Sequence, residues 1–190
     1  AAATTEFLGK GYEAASIRTI IREGGGGSAD AVYRIFGSKA GLFQAVLSEL
    51  MQRHYQGFFR EDNLERDPAA ELFEFGLSYV NTVMADDALR FYRVMISSRE
   101  SAPEMTQIFW DSGFGAVVRR LEAYLARQTE RGVLNVPSPQ EAAVQFMELA
   151  KAGMHIRLLC TGERPSQDEV ITKVRAAVDV FLAAYASRRM

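Results

Sequence analysis

The 190-residue chain has few of the side chains that carry chemistry, with one cysteine, two histidines and five prolines. A single cysteine, Cys160, excludes an intrachain disulfide, and this usage is typical of a reducing compartment, so we expect a cytoplasmic protein. No apolar run approaches the roughly 18 residues that a membrane-spanning helix needs. The net charge of −2 excludes a chain that is basic throughout, so any contact with a polyanion must come from a local arrangement of charge.

The motifs of common enzyme classes are also absent. His54 and His155 are far apart in the sequence, and there is no His-x-x-x-His, no cysteine pair and no Gly-x-Ser-x-Gly. Cys160 fits a buried small hydrophobe better than a nucleophile. We therefore predict a protein that is not an enzyme and that needs no metal or cofactor. A small helical enzyme is the weakest of the alternatives.

What the sequence does contain is helical periodicity, without strand-like alternation. We predict an all-α protein of about nine helices, in which a helix-turn-helix domain is joined by a long helix to a second helical domain. Short helices up to about Val46 and long helices afterwards predict two domains, residues 1–46 and 47–190. The first helix is expected to end near Leu8, with Gly11 closing it. The last two helices are expected over about Gln140–Cys160 and Gln167–Ser187.

Two short helices joined by a glycine-containing turn indicate a helix-turn-helix. Ser16 is a suitable N-cap for the second helix, and Ser28 for the third. The third helix is expected to end at Phe36, with Gly37 behind it.

A helical wheel of the third helix separates an inner face from an outer one. Val32 and Phe36 face inward with Ile35 beside them, while Asp30 and Arg34 face outward. The outer face is slim enough to enter a major groove about 12 Å wide. Asp30 and Arg34 form an i, i+4 pair, so they suit either a helix ion pair or contacts with a DNA base and a phosphate.

Ser38-Lys39 opens the fourth helix, where a lysine is locally unfavourable because the positive end of the helix dipole lies there. The free N–H groups of a helix N-terminus bind anions, and a lysine beside them suits a phosphate. The alternative is a solvated lysine that tolerates a small cost.

Two stretches of the sequence carry these features together, “FLGKGYEAASIRTI” from Phe7 and “SADAVYRIFGSKAGLFQAVL” from Ser28. Over about residues 3–47 they closely resemble the N-terminal domain of the tetracycline-repressor (TetR) family of transcriptional regulators. The matching positions are Lys10-Gly11-Tyr12, Ser16, Val32-Tyr33, Phe36, Ser38-Lys39 and Leu42-Phe43. The run of long helices downstream looks like the effector-binding and dimerisation domain of that family.

The resemblance implies residues that contact DNA. Tyr33 and Lys39 match positions that usually contact phosphates, and Arg18 matches another frequent contact position. The groove-facing part of the recognition helix is matched by Ser28, Ala29, Asp30, Ala31 and Arg34.

The turn departs from the family pattern. Four glycines, Gly24–Gly27, stand where about Ala-Gly-Val-Ser is common, and the chain from Ser16 to Ser28 is one residue longer. Two explanations stay open: a loosened recognition helix that becomes ordered on DNA, or glycines that stand where the natural chain has other residues. The N-terminus begins as if already inside a helix, so we expect the natural chain to start earlier.

The central helices are rich in large, adaptable apolar residues, which suit both a plain core and the lining of a small-molecule pocket. With the resemblance, the candidates for a ligand site are Phe75, Tyr79, Phe91, Met95, Phe109, Trp110, Phe114 and Met147.

The last two predicted helices carry apolar stripes that must be buried. The resemblance implies a dimer interface of four helices, two from each subunit, and the alternative is that the stripes close the core of one chain. The candidates are Phe146, Ala150, Gly153, Met154, Val174, Val178, Phe181 and Tyr185.

Together these features predict a homodimeric transcriptional regulator, most simply a repressor, that binds an inverted-repeat operator in double-stranded DNA. A small, largely apolar effector would release it. The alternative is a helical ligand-binding or interaction protein with weakened or lost DNA binding.

Overall fold

The computed structural model describes residues 1–55, 58–97, 99–100 and 103–187, and every regular element in that part of the chain is helical. A single bridge between Leu134 and Ala186 adds one extended contact. The all-α prediction is therefore confirmed. The helices are α1 (Ala2–Ala14), α2 (Ile17–Glu23), α3 (Ala29–Phe36), α4 (Lys39–Tyr55), a 3₁₀ turn (Glu61–Glu65), α5 (Pro68–Val83), α6 (Asp86–Ser97), α7 (Pro103–Phe109), a π-helical turn (Trp110–Phe114), α8 (Gly115–Glu130), α9 (Pro139–Lys151), α10 (Met154–Thr161) and α11 (Gln167–Tyr185).

Two predicted helices are interrupted, which accounts for the larger number of elements. The helix expected over Gln140–Cys160 is divided into α9 and α10, because Ala152 takes a left-handed φ of 44° and Gly153 a φ of 77°. A single helix, which the sequence pattern predicts over about Glu104–Gln128, is divided into α7 and α8 by the π-helical turn at Trp110–Phe114. The predicted close of the first helix at Gly11 is confirmed, because the chain leaves helical geometry there (φ 77°), and α1 continues to Ala14 as a second helical segment after this kink.

The helices pack into two compact units. Unit 1 comprises Ala1–Arg53 and Asp86–Ala116, and unit 2 comprises His54–Ala85 and Val117–Met190. Unit 1 extends beyond the predicted domain of residues 1–46, because α6 packs against α1 and α7 packs against α6.

Aromatic rings form the centre of unit 1. The ring of Phe43 on α4 lies edge-on to Phe7 and Tyr12, with centroid distances of 5.3 and 5.6 Å, and stacks on Phe91 of α6 at 5.1 Å. The edge-on geometry places the positive ring edge over the negative face of its neighbour. This cluster gives the short helices α1 to α3 a common support.

In unit 2, α5, α9 and α11 pack against one another. The ring of Phe146 on α9 contacts Phe75 on α5 at 6.3 Å and Phe181 on α11 at 5.2 Å. A Cβ added at Gly76 would lie 2.7 Å from Val174 Cγ1, so the close approach of α5 and α11 requires a glycine there.

Two burial predictions are wrong. Ile35 is 69% exposed, because the side chains of α3 that pack against the core of unit 1 are Val32 and Phe36, and no residue of this helix is fully buried. Cys160 is exposed on α10, so it is not the buried small hydrophobe that we expected. No helix among the described residues is long and apolar enough to cross a membrane.

Candidate functional site

The helix-turn-helix of unit 1 is built by two serine caps, which confirms both cap predictions. Ser16 Oγ accepts a hydrogen bond from Thr19 N (3.4 Å) at the start of α2, and Ser28 Oγ accepts one from Ala31 N (3.1 Å) at the start of α3. Each cap satisfies one of the N–H groups that a helix N-terminus leaves unpaired. Gly37 ends α3 with a φ of 74°.

The turn between α2 and α3 uses a backbone conformation that favours glycine. Gly25, Gly26 and Gly27 have φ values of 99°, 98° and 124°. The Gly26 N–H donates to the Ile21 carbonyl at 2.9 Å, and no side chain would obstruct a Cβ at any of the three positions. The strain of a substitution would therefore come from the backbone alone.

The outer face of α3 is open to solvent. Ser28, Ala29, Asp30, Tyr33 and Arg34 are exposed, and Ala31 is half-buried. No ion pair joins Asp30 to Arg34 in the part of the chain that the structure describes, so the helix ion pair considered for them does not form there. Arg18 is exposed on α2.

Lys39 is held at the start of α4. Its Nζ donates to the Glu13 carbonyl at 3.0 Å and lies 4.9 Å from the centroid of the Tyr12 ring. Ser38 Oγ accepts from Gly41 N at 3.0 Å and so caps the same helix. Lys39 is the first residue of α4, and the free N–H groups at the N-terminus of a helix attract anions.

A buried carboxylate that the sequence analysis missed fixes the entry to α2. Glu6 Oε1 accepts from Lys10 Nζ (2.9 Å) and from Ser16 N (3.0 Å). The hydrogen bond from Lys10 holds the pKa of Glu6 below its ordinary value. The i, i+4 spacing of Glu6 and Lys10 was readable from the sequence, but the bond to Ser16 was not.

The predicted ligand residues lie in both units. Phe91, Met95 and Phe109 belong to the core of unit 1, where Phe91 stacks on Phe109 at 5.8 Å. Trp110 is 57% exposed, with Phe114 beside it at 5.1 Å. The remaining three, Phe75, Tyr79 and Met147, are buried in unit 2.

Three further buried residues of unit 2, which the sequence did not indicate, lie near Phe75: they are Phe59, Tyr124 and Gln128. The Phe59 ring is 4.7 Å from Phe75 and 4.6 Å from Tyr124, and Gln128 is fully buried one helical turn after Tyr124. The i, i+4 spacing of Tyr124 and Gln128 on an amphipathic helix is the one feature of the sequence that could have indicated that these two side chains lie together.

Most of the predicted dimer residues are buried within one chain. Six of them are at most 4% exposed in unit 2: Phe146, Ala150, Met154, Val174, Val178 and Phe181. Gly153 is exposed, and the half-buried Tyr185 donates its hydroxyl to Gln145 Oε1 at 2.8 Å. The packing of α5, α9 and α11 therefore explains the apolar stripes without a partner. The outward faces of the same region expose Leu149, Ile156 and Val180.

No group of three or more metal-ligating side chains that could hold a metal ion is found among the described residues. An all-α chain with an N-terminal helix-turn-helix and a second helical unit has the architecture of a DNA-binding regulator.

Comparison with known proteins agrees with this class. The sequence profile described as bacterial regulatory proteins of the tetR family matches residues 1–46, and that of the AefR-like transcriptional repressor C-terminal domain matches residues 70–187, more than half of the chain. The chain therefore belongs to the TetR family of transcriptional regulators. Members of this family are regulators without enzymatic activity, so the protein is not an enzyme.

Solved structures share the fold across nearly the whole chain. A TetR-family transcriptional regulator from Mesorhizobium loti has 23% identity and a TM-score of 0.81, with 97% of this chain and 93% of that chain covered. The flavonoid-responsive regulator FrrA has 24% identity and a TM-score of 0.81, covering 99% and 95%. SmeT, the repressor of the Stenotrophomonas maltophilia multidrug efflux pump SmeDEF, has 21% identity and a TM-score of 0.64, covering 97% and 87%. No curated protein matches the chain.

Proposed function

We propose that the protein is a ligand-responsive repressor that binds an inverted-repeat operator as a homodimer in the cytoplasm. The observation that carries the proposal is the surface formed by α2, α3 and the start of α4, which we call the DNA surface. It presents the exposed outer face of α3, the exposed Arg18 and the fixed Lys39 on one helix-turn-helix.

In this proposal some residues of the DNA surface position the protein on the DNA backbone, and others recognise the base sequence. Lys39, Tyr33 and Arg18 contact phosphates and set the register of the protein on the duplex. Arg34 also serves a phosphate or a guanine, and Asp30 can accept from a cytosine amino group. The small Ser28, Ala29 and Ala31 let the start of α3 enter the major groove.

A second copy would place two recognition helices about one helical turn of DNA, or a multiple of it, apart. Because most of the apolar residues of α9 and α11 are already buried, we propose that the partner contacts the outward side chains Leu149, Ile156 and Val180. Their exposure supports this assignment, since large apolar side chains on neighbouring helices of one unit suit a protein interface.

The effector is proposed to be a small, largely apolar and aromatic molecule bound in the helical core. The aromatic side chains of unit 2 support this, and so do the roles of two proteins of the same fold, a flavonoid-responsive regulator and a repressor of a multidrug efflux pump. The ligand releases DNA only as far as it binds the non-DNA-binding state more tightly.

Footprinting on the DNA that flanks the gene of this protein tests the proposal. We expect the purified protein to protect an inverted repeat at moderate salt. The variant Arg34→Ala should weaken that protection, while Arg90→Ala, an exposed arginine of unit 1 outside the DNA surface, should leave it unchanged.

A second candidate, a ligand-binding protein that has lost DNA binding, is favoured by the glycine turn, whose three positive-φ residues hold α3 without side-chain contacts. Absence of any protected repeat for the wild-type protein would contradict the repressor proposal and support this candidate.

A further inference from the structure

The ammonium group of Lys39 is held by two uncharged partners at the start of α4. Its Nζ donates to the Glu13 carbonyl at 3.0 Å and lies 4.9 Å from the centroid of the Tyr12 ring. A cation within about 6 Å of an aromatic centroid is attracted by the negative face of the ring. Because a carbonyl and a ring face carry no net charge, they fix the position of the ammonium without cancelling its charge.

Lys10 shows the other way in which a lysine is fixed in unit 1. Its Nζ donates to the carboxylate oxygen Glu6 Oε1 at 2.9 Å, so a positive group is paired with a negative one. Lys39 forms no such ion pair within the part of the chain that the structure describes. An anion that approaches the two side chains therefore meets an uncancelled charge at Lys39 and a paired one at Lys10.

The Tyr12 ring is itself fixed by the aromatic core of unit 1. It is 8% exposed, stacks on Phe7 at 6.1 Å and lies edge-on to Phe43 at 5.6 Å. Burial, with smaller contributions from the Glu104 and Glu13 carboxylates, raises the pKa of Tyr12 above its ordinary value, so the phenol keeps its proton near neutral pH. The cation therefore contacts the face of a rigid and neutral ring.

We propose that Tyr12 is a positioning residue for DNA binding, which holds the Lys39 ammonium against the face of its ring in the place where a DNA phosphate binds. This inference rests on the proposed function and adds to it a residue of α1 that lies outside the DNA surface. The Glu13 carbonyl accepts from one of the three N–H donors of the ammonium, and the other donors are left for phosphate oxygens.

The benefit of this arrangement is entropic. A lysine side chain that is free in solution loses conformational entropy when a ligand immobilises it. Because Lys39 is already ordered by its two partners in the free protein, most of that loss does not occur when the phosphate binds. The Tyr12 ring therefore raises DNA affinity without contacting DNA.

A purely structural role is the alternative, because the same contacts join two helices. Glu13 lies in the last turn of α1, where the final carbonyls have no partner within the helix, and a lysine there serves as a cap. In that case Tyr12 supports the fold alone. Loss of its ring would then weaken DNA binding to the same extent whether or not Lys39 is present.

A double-mutant cycle on the full chain separates the two roles. Fluorescence anisotropy is measured with a labelled duplex that carries the footprinted operator and with a duplex of the same length and scrambled sequence. Tyr12→Leu should weaken binding to both duplexes by about three- to tenfold, whereas Tyr12→Phe, which keeps the ring, should stay within about twofold of the wild type. In the Lys39→Ala background, Tyr12→Leu should have no further effect.

The matched control is Phe7→Leu, which removes a buried ring of the same cluster and leaves both partners of Lys39 in place. Any effect of this variant should be the same with and without Lys39. If Tyr12→Leu does not fold, phenylalanines with an increasing number of ring fluorine atoms replace Tyr12, because fluorine weakens the negative face of the ring and nearly keeps its size. Affinity should then fall stepwise, and only in the protein that retains Lys39.

The possible failures are distinguishable. Additive losses in the cycle, or an affinity that does not change with fluorination, would overturn the inference and leave Tyr12 as a structural residue, while binding of the wild-type protein to the operator would keep the proposed function. Absence of wild-type binding to both duplexes would contradict the proposed function, and the inference would fail with it.

Discussion

Each unit of the protein contains a buried glutamate that holds a distant piece of backbone. In unit 1, Glu6 accepts from Lys10 and from the N–H of Ser16. In unit 2, Glu71 is completely buried and accepts from Phe59 N (3.1 Å), Asn63 Nδ2 (2.8 Å) and Arg66 Nη1 (2.7 Å).

The two carboxylates differ in the part of the chain that they bind. Glu6 fixes the start of α2 and leaves α3 exposed, so the DNA surface remains open to a partner. Glu71 fixes a whole segment from Phe59 to Arg66 against the core of unit 2. Charge-assisted hydrogen bonds of this kind are about twice as strong as neutral ones. We conclude that unit 1 is organised around an exposed surface and unit 2 around a closed interior.

The largest effect is expected for Glu71→Leu. Loss of the carboxylate leaves the buried Phe59 N–H unpaired and removes one of the two carboxylate partners of Arg66, so the free energy of unfolding should fall by about 3 kcal/mol. Urea denaturation measures it. The control Glu74→Ala removes the other partner of Arg66 (2.9 Å), which is a surface pair, and should cost less than about 1 kcal/mol. Equal losses in the two variants would contradict the central role of Glu71.

The next effect is expected for Gly26→Ala in the turn of unit 1. A side chain at φ 98° is strained, and the free energy of unfolding should fall by about 1–3 kcal/mol, together with weaker DNA binding. Gly9→Ala on α1 is the matched control, since a Cβ there meets nothing within 4 Å and a helical alanine is more favourable than glycine. Thermal unfolding should therefore shift in opposite directions, and a shift in the same direction would refute the explanation by backbone strain.

The smallest effect is expected for Glu6→Gln, and it should depend on pH. Because the folded state lowers the pKa of Glu6, its stabilisation is present above the ordinary glutamate pKa and is lost as the pH falls through the folded value. At neutral pH the variant should unfold at a lower temperature than the wild type, and the gap should close in acid. Glu13→Gln, an exposed glutamate of α1, is the control. A gap that is the same at pH 7 and pH 3 would exclude a role for the charge.

Local features were predictable from the sequence because they depend on neighbours along the chain. The caps at Ser16 and Ser28 and the end of α3 at Gly37 follow from short-range hydrogen bonding and backbone preference. The residue order around Tyr33 and Lys39 gave the family. The break at Ala152 was missed because alanine does not favour a left-handed φ, and only the surrounding structure imposes it.

Long-range features were not predictable in the same way. An apolar stripe shows that a face is buried but not what covers it, which is why α9 and α11 could be assigned to a partner when they pack on α5. The wheel of α3 placed Ile35 near the inside, but Val32 and Phe36 are the side chains of α3 that pack against the core of unit 1. The hydrogen bond from Phe59 N to Glu71 Oε1 joins residues that are 12 apart, and no pattern in the sequence predicts it.

The salt dependence of DNA binding by Lys39→Ala tests the central claim, that the start of α4 together with α2 and α3 contacts DNA. Fluorescence anisotropy on the protected operator over a range of salt concentrations gives the slope of log affinity against log salt. We predict that Lys39→Ala weakens binding to all DNA sequences alike and reduces the slope by about one, while Arg90→Ala changes neither. An unchanged affinity and slope for Lys39→Ala would contradict the claim.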